Sequence, residues 1–217
     1  RGYRTLHLSE AVNCLQRGTP LPDHSLVITF DDGYRSVYDL AFPVLQDHSM
    51  SATVFLTVGE RSRVNRIDRL PSLEGRPMLA WSEIREMQRW GIEFGAHTLT
   101  HPDLTRLPTE RIEIEIRESK ALIEEALGTA GTCFAYPYGR YEARSHEIGQ
   151  RHFAAACSDR LGLVTATSDP HALERVDAYY LRSDALFDFM FSGLFPWYIW
   201  GRSIPRRIRR AIQRGVI

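Results

Sequence analysis

Ser25-Leu26-Val27-Ile28-Thr29-Phe30-Asp31-Asp32-Gly33-Tyr34 reads as a buried strand that runs out on two adjacent acids and a turn. The first six residues are largely apolar or β-branched, the content of a strand covered on both faces. Charged side chains are seldom buried without a partner or a metal ion, and the carboxyl ends of strands in an α/β fold are where a site is built. Two neighbouring acids there point in different directions, so one can hold an ion while the other handles a proton. The competing reading is a plain turn, because Asp-Gly is a common turn dipeptide.

Working outward, four more short apolar runs follow: Ala52 to Thr57, Ile92 to His97, Thr132 to Pro137 and Phe153 to Cys157. Helical patterns lie between them. From Thr109 to Leu127 the residues Ile112, Ile116, Ile123 and Leu127 form one stripe, and Gly128 supplies the stop. Ser82 to Trp90 places Ile84, Met87 and Trp90 on one face, and Val37 to His48 contains Pro43, which predicts a bend. Strands alternating with helices predict a parallel sheet covered by helices, as a barrel or as an open doubly wound sheet. No repeat or linker divides the 217 residues.

Lys plus Arg and Asp plus Glu both total 27, so net charge gives no reason to expect a nucleic-acid partner, and a neutral ligand such as a carbohydrate is compatible. The odd and widely spaced Cys14, Cys133 and Cys157 read as small buried hydrophobes, not as a disulfide or zinc framework. Neither a signal peptide nor a membrane-spanning run is apparent, and a start at Arg1 rather than Met implies that upstream residues were trimmed or are not included.

Two further segments carry chemistry. In Gly95-Ala96-His97-Thr98-Leu99-Thr100-His101-Pro102, histidines four apart fall on one side of a helical turn, a spacing that lets both imidazoles reach one ion. With the upstream acids this gives a three-ligand set, Asp32, His97 and His101, with a position left for water, as in catalytic and unlike structural zinc sites. In Phe134-Ala135-Tyr136-Pro137-Tyr138-Gly139, the proline and glycine predict a rigid loop at the same rim, where a backbone N–H can face a developing oxyanion. Its alternative is a strand-ending turn with two packed aromatics. Tyr34, Tyr136 and Pro137 are candidate sugar contacts, with core packing as the alternative for the tyrosines.

TFDDGY, HTLTH and FAYPYG in this order resemble the signature motifs of the polysaccharide deacetylases of carbohydrate esterase family 4, the NodB-homology domain. The likeness runs from about Gly2 to about Leu181 and extends to exopolysaccharide and poly-N-acetylglucosamine deacetylase-like members. It implies a distorted (β/α)7-type barrel of parallel strands, here lacking the first strand, over residues 1–185, followed by an aromatic and Arg-rich extension over 186–217. It further implies a divalent metal, Zn2+ with Co2+ or Ni2+ as alternatives, on Asp32, His97 and His101, with Asp31 as general base and the Tyr138 N–H in the oxyanion site. A divalent ion acidifies a bound water, which suits amide hydrolysis at neutral pH. The implied location is the cell envelope or outside the cell.

Two departures stand out. Many members begin the third motif with an arginine that orients the base, where this chain has Ala135, and Arg175 is the candidate replacement, with a surface arginine as the alternative. The general acid is also missing from its late position, which leaves His171 as the one late candidate, against a plain loop residue; otherwise the acid lies upstream of Arg1 or the pocket is incomplete. The leading function is removal of N-acetyl groups from an N-acetylhexosamine polysaccharide. The alternatives are an O-acetyl esterase of the xylan type and a carbohydrate-binding domain without turnover.

The tail carries Phe187, Phe189, Phe191, Phe195, Trp197, Tyr198 and Trp200, then Arg202, Arg206, Arg207, Arg209, Arg210 and Arg214. Such a segment either lies on an anionic membrane surface or packs its aromatics on the barrel and solvates its arginines.

Overall fold

A computed structural model describes residues 2–59 and 69–213, with the side chains at 207 and 209–213 outside the description. Six parallel strands form the main sheet: β3 (Thr29–Phe30), β4 (Thr53–Leu56), β5 (Glu93–Ala96), β6 (Cys133–Ala135), β7 (Ala155–Leu161) and β8 (Leu173–Arg175). They stand side by side in chain order. A doubly wound sheet reverses its strand order partway, so the unbroken order is that of a barrel. N-terminal residues add β1 (Arg4–Thr5), paired in parallel with β2 (Ser25–Leu26), which leads directly into β3. The predicted strand of residues 25–30 is thus two short ladders, and the six-stranded parallel sheet matches the expected seven-strand type without its first strand.

Period-two alternation separates the two faces of this sheet. Phe55, Cys133, Ala135, Ala155, Cys157 and Leu173 fill the concave side, joined by Leu8 and Val12 of α1 (Leu8–Arg17). Their neighbours Val54, Leu56, Phe134, Tyr136 and Ala156 face outward into a second core. Small residues on the inner face allow the sheet to curl tightly. Gly95 marks the limit, since a Cβ there would lie 2.7 Å from Cys133 O and from Phe55 Cδ1. The curl brings the edge strands β3 and β8 together through the Arg175 side chain, which donates to Thr29 Oγ1 at 3.3 Å. Cys133 and Cys157 are buried and free, as predicted for small hydrophobes, whereas Cys14, predicted with them, is free but only half-buried on α1. Burial pushes the Cys157 thiol up to about 12, which keeps it protonated and inert.

The outer core is made by the helices. Ile112, Ile116 and Ile123 of α4 (Thr109–Leu127) are buried against the sheet, and Gly128 ends the helix in the left-handed conformation. In α3 (Trp81–Arg89) the buried residues are Trp81, Ile84 and Met87. Trp90, predicted on that face, is 64% exposed, because the helix starts one residue earlier and Trp90 has already left helical geometry as its C-cap. Near Pro43 the chain forms a π-turn over Val37–Ala41 before α2 (Phe42–Asp47), in which proline takes a first-turn position where no N–H is needed.

The C-terminal extension follows α5 (Ala143–His152) and β8 and is helical: α6 (Asp184–Phe189), then α7 (Phe195–Gln213). Phe195 and Ile199 are buried with Leu161 of β7 and Tyr180. Arg202 and Arg206 sit over the Tyr180 ring at 5.4 and 5.3 Å. The extension therefore packs on the barrel, as one of its two readings expected. The predicted basic side chains Arg207, Arg209, Arg210 and Arg214 lie outside the described residues.

Candidate metal centre

Three strand ends converge at one rim of the barrel. After β3 the chain turns within two residues: Gly33 N–H donates to Asp31 O at 2.9 Å, and Asp32 takes φ 73°. A non-glycine residue in this region is uncommon. The turn reading of Asp31-Asp32-Gly33 holds, and this turn is what aims the two carboxylates apart. His97 follows β5 and is 1% exposed. Its Nδ1 lies 2.7 Å from Ala135 O, an atom that can only accept, so Nδ1 carries the proton and Nε2 presents a lone pair.

His97 Nε2 stands 3.3 Å from Asp32 Oδ1, and His101 Nε2 stands 3.2 Å from the same oxygen. One ligand atom from each of the three lies within 4.8 Å of the others. Burial and the neighbouring His97 lower the His101 pKa, against the opposing pull of Asp32, which favours a neutral imidazole. Two imidazole lone pairs and a carboxylate oxygen converging on one point form a set of acceptors that only a cation satisfies. The donor set therefore fits a divalent metal of the zinc type.

The two histidines do not share a helical turn as their spacing suggested. Thr98 and His101 have φ 69° and 58°, so the segment is a loop of left-handed residues. Glu115 of α4 holds its shape: one carboxylate oxygen accepts from Leu99 N–H and Thr100 N–H, both at 2.9 Å, and the other from Thr100 Oγ1 and Arg111 Nη2, both at 2.8 Å. Sequence reading missed Glu115. Its signal was an acid inside the buried stripe between Ile112 and Ile116, a position that a solvated glutamate would avoid.

Arg175 comes from β8 and grips Asp31 with both terminal nitrogens, Nη1 to Oδ1 at 2.7 Å and Nη2 to Oδ2 at 2.8 Å. Its Nε donates to Ser158 O at 3.1 Å, which fixes the plane of the fork. Burial alone would raise the Asp31 pKa, but Arg175 outweighs it and holds the carboxyl below its usual value. The reciprocal effect of Asp31 pushes the guanidinium up against the cost of its own burial.

The centre opens into a cleft of about 550 Å3, lined also by Tyr34, Glu74, Asp159, Asp177 and Arg206. Glu74, Asp159, Asp177 and Arg206 were not anticipated, because they come from loops, from β7 and from the C-terminal helix, outside the motifs. Tyr138 is 53% exposed and meets the His101 ring edge-on at 4.7 Å. Its φ of 57° and that of the following glycine, 63°, turn the chain sharply beside the ligands. A Cβ on Gly139 would lie 2.1 Å from Asp159 Cβ and 2.2 Å from its backbone N, so the loop closes onto β7 only with glycine there. Gly139→Ala is expected to cost about 2–4 kcal/mol. An unchanged thermal unfolding midpoint would show that the loop can move away.

Three predicted site residues lie elsewhere. Tyr136 is fully buried on the convex face, stacked with Tyr141, and Pro137 is buried and does not line the cleft, so neither can contact a sugar there. The place of Tyr136 follows from the alternation of β6, which turns Phe134 and Tyr136 outward while Ala135 points in. His171 precedes β8, at the opposite end of the strand from Arg175. Its Nε2 is 2.9 Å from Phe153 O, and it does not line the cleft, so it is not positioned as a general acid.

Comparison with known proteins agrees with this geometry. Residues 18–154 match the family model described as polysaccharide deacetylase. The Bacillus subtilis protein YxkH is 28% identical over 176 residues, covering 81% of this chain and 59% of YxkH. Poly-β-1,6-N-acetyl-D-glucosamine N-deacetylase of Escherichia coli K12 is 32% identical over 102 residues, 45% of this chain and 15% of that protein. The deacetylase PplD of Streptococcus pyogenes, solved in complex with acetate, superposes with a TM-score of 0.72 at 24% identity, over 81% of this chain and 74% of PplD, a likeness of fold. The chain thus spans only part of the curated relatives it matches. With the matched segment covering well over half of its residues, and the three motifs gathered on one rim, the chain belongs to the polysaccharide deacetylase family.

Proposed function

We propose that this chain hydrolyses N-acetyl groups on an N-acetylhexosamine-containing polysaccharide, at the cell envelope or outside the cell. The observation that carries the reading is the meeting of Asp32, His97 and His101 beside an arginine-clamped Asp31 in an open cleft. A divalent cation on the three ligands, Zn2+ by the donor set with Co2+ or Ni2+ as alternatives, supplies Lewis acidity toward a carbonyl oxygen and acidifies a water.

The protein's own groups do the remaining work. Asp31, kept ionised by Arg175, accepts the proton of the attacking water. The same clamp makes it a weak base, so it depends on a water that has already been made acidic. The backbone N–H of Tyr138, a cleft-lining residue in a left-handed turn, is assigned to share the charge of the oxyanion. As the C–N bond breaks, the departing amine needs a proton. Among the described residues the imidazoles lining the cleft, His97 and His101, are both assigned as ligands, so the return of a proton to the amine is assigned to Asp31 ahead of the cleft acids Glu74, Asp159 and Asp177. Tyr34 lines the cleft where a pyranose face can stack.

Zinc-loaded protein is expected to release acetate and free amines from N-acetylglucosamine oligomers, and His101→Ala to lose both bound zinc and turnover by at least about a hundredfold. Cleavage of p-nitrophenyl acetate with no action on the oligomers points instead to an ester substrate. Stoichiometric zinc with neither activity points to a binding domain.

A further inference from the structure

We infer that the outward face of α7 is a docking surface for an anionic lipid bilayer. One side of this helix is already used, with Phe195 and Ile199 buried on the barrel and Arg202 and Arg206 laid over Tyr180. At 100° per residue the opposite arc of about 120° carries Leu194, Trp197, Trp200, Ile204 and Ile208, with no charged residue among them. Leu194 is 65% exposed, Trp197 70%, Trp200 56% and Ile208 51%. The helix is apolar on two faces, and among the described residues only one of them has a partner in the fold.

Charge selects the occupant. Between Phe189 and Ile217 there are six arginines and no acid, although the whole chain is neutral. Positive charge is thus gathered on the segment that exposes the tryptophans. A protein partner would need an apolar and acidic groove of matching shape, whereas an anionic bilayer offers both features to any amphipathic helix lying in its interface. Tryptophan favours the headgroup level, and the Trp197 and Trp200 rings lie together, 6.3 Å apart. No helix of the described residues is long and apolar enough to cross a membrane, so the helix lies along the surface. Arg206 of the same helix lines the cleft, so docking holds the cleft mouth close to the lipid headgroups.

The chain is expected to co-sediment with vesicles containing phosphatidylglycerol and not with vesicles of phosphatidylcholine alone, with a blue-shifted tryptophan emission and binding that weakens as salt is raised. A Trp197→Ser/Trp200→Ser double variant should bind roughly tenfold or more weakly. Both side chains are exposed, so its thermal unfolding should match that of the parent, which separates lost docking from lost folding. The inference is overturned if the chain ignores anionic vesicles, or if the double variant binds them as well as the parent. It is equally overturned if sedimentation velocity shows a dimer that the double substitution dissociates while vesicles are not bound, since the face then belongs to a second copy. None of these readouts requires deacetylase activity, so the result stands apart from the proposed reaction.

Discussion

Asp31→Asn is expected to lower turnover on N-acetylglucosamine oligomers by about 10^2–10^4-fold, the range lost when a general base is removed, with bound zinc unchanged. The split between the two readouts follows from the turn after β3, which sends Asp32 to the histidines and Asp31 to Arg175. An amide oxygen still accepts one hydrogen bond from Arg175, so the fork keeps a partner and the fold changes little. Arg175→Ala acts differently. It leaves a carboxylate without its counter-charge where the two side chains are 33% and 22% exposed. The expected loss is about 2–3 kcal/mol of stability, less than the 3–5 kcal/mol of a fully buried pair because water still reaches the site. Turnover falls as well, since Asp31 is then free to turn away from the water. Arg175→Lys restores charge without the two-pronged grip and should recover stability more than turnover. Steady-state kinetics with metal analysis and thermal melts measure all three variants. If Arg175→Ala keeps full turnover, the clamp is only structural.

Local pattern and long-range pairing contributed unequally to what could be read from the sequence. Residues that act through periodicity were legible: the stripe of α4 and its glycine stop, the strand ends on which Asp31, Asp32 and His97 sit, and the burial of Cys133 and Cys157. Tyr136 was misplaced although the rule that places it is simple. It lies an even number of residues from Phe134, so both face the outer core while Cys133 and Ala135 face in. His171 was misplaced because β8 is only three residues long and carries too little pattern to be found, so nothing told which end of the strand the histidine occupied. Arg175 was recognised as a candidate only from the absence of an arginine at Ala135. Its pairing with a residue 144 positions away depends on how far the sheet curls, which no local pattern encodes. The exposed arc of α7 was seen as composition, but its division into one packed and one bare face needed the barrel against which to divide it.

Glu115→Ala is expected to cost about 2–4 kcal/mol, or a fall in melting temperature of roughly 4–16 °C for a domain of this size. The carboxylate is 1% exposed and satisfies four donors, two of them the backbone N–H groups of Leu99 and Thr100. Removing it strands the buried Leu99 N–H and takes one carboxylate partner away from Arg111. The consequence reaches the metal. Thr98 and His101 hold left-handed backbone angles that a free loop would abandon, and Glu115 fixes the two residues between them. A relaxed loop swings His101 away from Asp32 while His97, anchored by its own bond to Ala135 O, stays in place. Zinc affinity is therefore expected to fall by about 10–100-fold, as when a group supporting a ligand is removed, with two ligands retained instead of three. Isothermal titration with zinc, run below the lowered melting temperature, separates this from unfolding. Parental zinc affinity in a destabilised but folded Glu115→Ala would mean that the strain at His101 is held by Thr98 Oγ1, which accepts from the His101 N–H at 3.0 Å, and not by the buried acid.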